Sequence, residues 1–195
     1  MGKDYLLDLM RSKKTVFTFK DVVLIWGESD LNFVKKKIYR YTNAKKIFRI
    51  RKGIYSKDKT YDKYELATKI FIPSYISLET VLGASGITFQ FYDQIFIASY
   101  QTRDIECNDQ KYSFKKIKDE ILTNQIGIEK RENYSIASTE RAFLDVIYLH
   151  KEYHFDNLLP LNWAKIYDIL SIYGGNKAMA KRVDKYHEAF KQNLK

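Results

Sequence analysis

Asn32, Lys36, Tyr39, Arg40 and Asn43 fall on one side of any helix that spans them, because each residue turns the chain by about 100°. Amides and guanidinium groups are the side chains that make paired hydrogen bonds to base edges in a DNA groove. Lys35 and Lys37 flank that side. A solvated helix face ordinarily mixes signs, yet after Asp30 this one carries no acid. Shortly afterwards Arg49, Arg51 and Lys52 add charges of the kind that neutralise phosphate. The implied chemistry is duplex recognition. Asn32, Lys36, Arg40 and Asn43 suit base readout, with Tyr39 beside them; Lys35, Lys37, Arg49, Arg51 and Lys52 suit the backbone.

Catalytic chemistry finds no comparable set. His150 and His154 share a helix face, but Glu152 stands neither directly after the first nor directly before the second, as the zinc-peptidase patterns require. Asp104 and Glu106 have Lys111 only beyond a turn, too far along the chain for a carboxylate–lysine nuclease cluster. Arg141 and Asp145 are an i, i+4 pair, and with Glu140 they read as a salt bridge plus a helix-start acid, or as a buried polar support. Cys107 has no nearby His, and a lone cysteine excludes an internal disulfide. Gly83-Ala84-Ser85-Gly86 lacks the Lys and Ser/Thr that complete a phosphate loop. The expectation is a binding protein, not an enzyme, with no cofactor and no metal.

The basic helix needs neighbours that fix it. Leu31, Val34, Ile38 and Tyr41 form its apolar stripe, and Ser29 or Asp30 caps it. Phe33 lies nearer the polar side, and spacing leaves open whether it packs on the preceding helix or is partly exposed. Upstream, Tyr5 to Met10 predict a helix and Thr15-Val16-Phe17 an extended piece. Thr18 and Asp21 have capping-box spacing, opening a helix that runs to Trp26 and closes at Gly27. Downstream, Phe48 and Ile50 alternate with Arg49 and Arg51 as in a half-buried strand, and Lys52-Gly53 turns the chain into Ile54-Tyr55. Three helices followed by a basic hairpin predict a winged helix-turn-helix.

The polar stretch Ser56-Lys57-Asp58-Lys59-Thr60 marks a boundary, giving a DNA-binding domain over 1–57 and an α+β domain over 61–195. In the second region helices are predicted for Tyr61–Ile70, after a Ser77 cap, after a Ser138 cap, over Asn162–Ile172 and from Lys177 to about Asn193. Strands are predicted at 88–92, 94–100, 103–107 and 111–117, with Asn108-Asp109 as a turn. The fold class expected is α+β, with a small, mostly antiparallel sheet and C-terminal helices.

Charge supports the division. The 195 residues carry a formal charge of +10, and residues 1–57 hold 15 Lys+Arg against 5 Asp+Glu, while 58–195 hold 19 of each. Lysine-rich coding bias would spread lysine evenly; a basic head on a neutral body marks a polyanion-binding module. The apolar runs are too short to span a bilayer, and Met1 to Leu6 have no secretory character, so a soluble cytoplasmic protein without membrane partners is expected. The alternative is an interaction protein whose basic head binds RNA or an acidic protein.

Three stretches carry a family resemblance. Ser74-Tyr75-Ile76-Ser77-Leu78-Glu79-Thr80-Val81-Leu82 with Gly86-Ile87, Ile136 to Asp145, and Arg51-Lys52-Gly53-Ile54-Tyr55 resemble, in order and spacing, stretches of AbiEi-type antitoxins. Together they span roughly residues 15–150. Thr139 stands where that family often has Pro, and the part after residue 150 is shorter than in its longer members. The resemblance implies a regulator of a type IV toxin–antitoxin, or abortive-infection, locus active in phage defence. Its winged helix would bind operator DNA at repeated half-sites and repress its own operon. Its C-terminal domain would counteract a nucleotidyltransferase-like toxin, often without stable binding.

Overall fold

A computed structural model describes residues 4–193. The chain divides into two units, Met1–Ile70 and Phe71–Lys195. The first is built from α1 (Tyr5–Arg11), β1 (Val16–Thr18), α2 (Phe19–Trp26), α3 (Leu31–Asn43), β2 (Phe48–Arg51), β3 (Ile54–Ser56) and α4 (Lys63–Ile70). Local chemistry sets the helix ends. The Asp4 carboxylate accepts from the amides of Leu6 and Leu7. Thr18 and Asp21 form the reciprocal capping box, and Gly27 ends α2 at φ 56, where a side chain would be strained. Asp30, not Ser29, caps α3. Leu9, Phe17, Val22, Trp26, Val34, Ile38 and Ile47 make one buried cluster. Trp26 donates its indole N–H to the Tyr5 carbonyl at 2.8 Å, so the largest ring of the core leaves no polar atom stranded.

The strands form an antiparallel sheet in the order β1-β3-β2. Its helix-facing side carries Phe17 and Tyr55; Val16, Ile54 and Ser56, all buried, lie on the other. There α4 packs against β1, with Leu66 and Ala67 fully buried. The boundary expected near residue 58 therefore falls at Ile70, and α4, expected in the second domain, belongs to the first. The reason is long-range bonding. Glu65, fully buried, accepts from the Thr15 amide and hydroxyl, both at 2.8 Å. Lys69 reaches Asp21 at 3.0 Å, and Lys14 pairs with the same carboxylate. Burial alone would raise Asp21; Lys14, the Thr18 amide and Lys69 outweigh it and hold the carboxyl well below the ordinary range.

The second unit is α+β. Its elements are β4 (Ser74–Ile76), α5 (Glu79–Ala84), β5 (Gln94–Ser99), β6 (Arg103–Cys107), β7 (Gln110–Lys116), α6 (Asp119–Leu122), β8 (Ile128–Lys130), β9 (Ser135–Ala137), α7 (Thr139–Leu149), α8 (Trp163–Leu170) with a 3₁₀ turn Ser171–Tyr173, and α9 (Lys177–Asn193). The sheet order is β6-β7-β5-β4-β9-β8. Three neighbouring pairs are antiparallel and two, β5/β7 and β4/β9, are parallel, so the sheet is more mixed than expected. Asn108 and Asp109 take left-handed φ of 48 and 62, the tight hairpin turn their types predict. Ser138 and Asn162 cap α7 and α8. Residues 88–92 form no strand; no neighbouring segment offers them a ladder. Ser77 caps nothing: its hydroxyl is buried and donates to Asp145 at 2.8 Å, while Leu78 stands at the N-cap of α5 and supplies no side-chain cap.

Candidate nucleic-acid interface

α3 turns its two faces to different surroundings. Val34 and Ile38 are buried, and Tyr41 meets Trp26 edge-on at 6.2 Å. Phe33 is half-buried and tilts against the Tyr5 ring of α1 at 5.3 Å. Leu31, expected in the apolar stripe, is 48% exposed, because the first turn reaches past the core cluster. On the other side Asn32, Lys35, Lys36, Tyr39, Arg40 and Asn43 are all exposed, Tyr39 at 66%. At about 100° per residue they share an arc of about 140°.

The acids nearest this face are occupied. The Asp30 carboxylate accepts from the amides of Asn32 and Phe33 at 2.9 and 3.1 Å. Glu28 accepts from the Tyr5 hydroxyl at 3.2 Å and from the amides of Ser29 and Asp30. From Leu31 to Lys57 the chain then carries ten Lys and Arg and no Asp or Glu. Lys35, Lys36, Arg40, Lys45, Lys46, Arg49 and Lys52 are exposed, and their side chains make no hydrogen bond or ion pair with any described residue. Lys45 and Lys46, in the turn that leaves α3, are candidates that sequence reasoning passed over. Their signal was a lysine doublet just beyond the helix, where a C-terminal turn projects side chains into solvent.

Two of the expected contact residues are placed differently from the rest. Lys37 is half-buried, its ammonium 5.3 Å from the Tyr5 ring centre and 5.4 Å from that of Tyr41. It bridges α1 and α3 inside the unit as a cation held by ring faces. Arg51 is separated from Arg49 by a bulge. Arg49 pairs with Tyr55 but Arg51 with Ile54, so Ile50 is the extra residue. Successive residues of β3 point to opposite faces, hence Arg49 shares the helix-facing side with Tyr55 and Arg51 takes the other. Arg51 is half-buried with one guanidinium nitrogen enclosed and unpartnered. Lys52 stands exposed at the tip, beside Gly53 at φ 77. The structure thus brings together the α3 face and places Arg49 and Lys52 as free cations of the hairpin.

Neither a family model nor a curated protein matches this chain. Its chemistry is therefore read from its own geometry.

The second unit answers the remaining candidates. Arg141 and Asp145 are both fully buried, joined at 3.3 Å. Asp145 also accepts from Tyr75, Ser77 and Tyr173 at 3.0, 2.8 and 2.7 Å. Arg141 donates onward to Tyr75 and to the carbonyls of Ile121 and Ile126 at 2.8, 2.7 and 2.8 Å. Burial pushes the Asp145 carboxyl upward, and Arg141 with the three hydroxyls pulls it back. The Gly127 backbone passes so close that a Cβ there would lie 2.9 Å from Arg141 Cβ. This centre ties β4, α7, the 3₁₀ turn and the 119–127 segment together; it has no opening for a substrate. Glu140, nearly buried, accepts from the Asn162 amide at 3.4 Å. Asp104 accepts from Ser113 at 2.7 Å, and Glu106 is register partner to Lys111, an ordinary polar strand face. His154 lies 3.6 Å from Asp156, and among the described residues no group of three His, Cys, Asp or Glu could hold a metal. Among them, too, no helix is long and apolar enough to cross a membrane.

Proposed function

We propose that the first unit is a winged helix-turn-helix that binds double-stranded operator DNA, and that the chain is a cytoplasmic transcriptional repressor. The observation that carries this reading is the exposed, acid-free face of α3, with its amides, Arg40 and unpaired lysines on one side. The element order α1-β1-α2-α3-β2-β3, with the sheet order β1-β3-β2, supports it. In this reading α3 lies in the major groove. Asn32, Lys36, Arg40 and Asn43 read base edges. Lys35, Lys45, Lys46, Arg49 and Lys52 neutralise phosphates. One such unit reads few base pairs, so two or more copies occupy repeated half-sites.

The antitoxin role is proposed on the three stretches that resemble AbiEi-type antitoxins. The chain would repress its own operon in a type IV toxin–antitoxin system of phage defence, and counteract a nucleotidyltransferase-like toxin. Footprinting on the promoter upstream of its own reading frame tests the DNA-binding half. Protection of repeated sites, lost in Arg40→Ala, is expected; binding of unrelated RNA as tightly as the promoter duplex would overturn it. Co-expression with the neighbouring gene tests the other half. Relief of growth arrest by this chain is expected, and unrelieved arrest would remove the antitoxin assignment.

A further inference from the structure

The loop that failed to become a strand builds one wall of a cavity in the second unit. The cavity holds about 300 Å³ and is lined by residues 88–92 on one side and 153–156 on the other. Its aromatic members are Phe89, Tyr92 and Tyr153. Its polar members are Thr88, Gln90, His154 and Asp156.

The two walls are fastened to each other. Asp156 accepts the Phe89 amide at 2.7 Å, and the Ile87 carbonyl accepts the amides of Asp156 and Asn157 at 3.0 and 3.1 Å. Tyr92 donates to the Gln90 side-chain carbonyl at 2.9 Å, orienting that amide and leaving its NH₂ available. Tyr153 is engaged by Tyr92 and Glu79. A site whose walls are already cross-linked loses little freedom when filled. One feature has no use in the folded chain itself. Phe89 is 71% exposed although its backbone is pinned at the cavity edge. A large ring held in water beside a cavity is placed to be covered.

The lining selects the ligand's chemistry. Ring faces suit a planar group that stacks. The polar members offer both donors and acceptors: a hydroxyl, an amide, an imidazole and a carboxylate. A bare metal cation would need acceptors alone. No Lys or Arg lines the cavity, so nothing there holds a phosphate. We infer that this cavity binds a nucleobase, stacked against Phe89 and hydrogen-bonded along its edge by Gln90 and Asp156. The base comes either as a free nucleoside or as an unpaired base of a nucleic acid strand. This assignment is independent of the duplex-binding reading, since all its residues belong to the second unit.

The test uses the full chain and saturation-transfer NMR. The probes are adenosine, guanosine, cytidine and uridine, their 5′-monophosphates, and short single-stranded oligonucleotides. At least one nucleoside should give a signal, its monophosphate should bind no more than about twofold tighter, and Phe89→Ala should weaken binding tenfold or more. Phe89→Ala should keep the parent melting temperature, because the ring is mostly in water. Gln90→Ala should weaken one base more than the others. A signal from oligonucleotides only, also lost in Phe89→Ala, would keep the site and identify the strand as its source. No Phe89-dependent signal from any probe would overturn the inference. So would Phe89-dependent binding of tetramethylammonium or methylguanidine in place of the bases.

Discussion

The division of the basic residues into free and internally held cations makes a quantitative prediction for salt dependence. Lys35, Lys45, Lys46, Arg49 and Lys52 are exposed, and their side chains have no partners among the described residues, which gives five cations for phosphate. At about 0.9 released counterions per neutralised phosphate, log K against log salt should have a slope of about −4.5 per bound chain. Raising salt from about 50 to about 200 mM then weakens binding about 500-fold. Removing one phosphate contact by Lys52→Ala or Arg49→Ala should bring the slope to about −3.6. Lys37→Ala and Arg51→Ala should leave it at about −4.5, since Lys37 sits over two tyrosine rings and Arg51 faces away from Arg49. Fluorescence anisotropy of a labelled operator duplex across a salt series measures all five slopes. Equal flattening by Lys37→Ala would refute the role given to the tyrosines, and by Arg51→Ala the bulge-based assignment.

Further consequences are as direct. Arg40→Ala should lose roughly 1–3 kcal/mol of discrimination between operator and random duplex, read by competition binding; equal loss on both would remove Arg40 from the groove. Asp21 is held below its unfolded value, so its stabilisation is complete above about pH 4 and fades as pH falls further. Melting curves of the wild type should therefore drop more steeply below about pH 4 than those of Asp21→Asn, which at neutral pH should be about 1–2 kcal/mol less stable through loss of the capping box. Arg141→Met should destabilise the second unit by about 3–5 kcal/mol in urea, because it strands a buried carboxylate, and adding Asp145→Leu should recover much of that loss.

What the sequence made legible was local. Thr18 with Asp21, Gly27, Asp30, Asn108-Asp109, Ser138 and Asn162 stand where their types predict, because each acts within four residues of itself. The outward face of α3 was legible for the same reason: periodicity states which side is polar. What stayed hidden depends on distant partners. Lys37 is drawn inward because Tyr5, 32 positions away in sequence, offers it a ring. Arg51 changed faces through a bulge fixed by pairing with β3, which no alternation pattern encodes. Ser77 had the type and position of a cap but met Asp145 from α7. Residues 88–92 alternate like a strand and lack only a neighbour to pair with. The arginine–aspartate pair was visible as a spacing, whereas its burial and its three tyrosine and serine donors were not.

The bond from Glu65 back to Thr15 sets a practical limit on dissecting this protein. A fragment cut at the polar stretch near residue 58 would expose Val16 and Ile54 to water and leave the Thr15 amide unanswered. Such a piece would be sticky and poorly behaved, and its failure to shift DNA would say nothing about the intact chain. The shortest fragment that keeps the sheet covered ends at Ile70, with its last helix acting as a lid on the rear of the sheet.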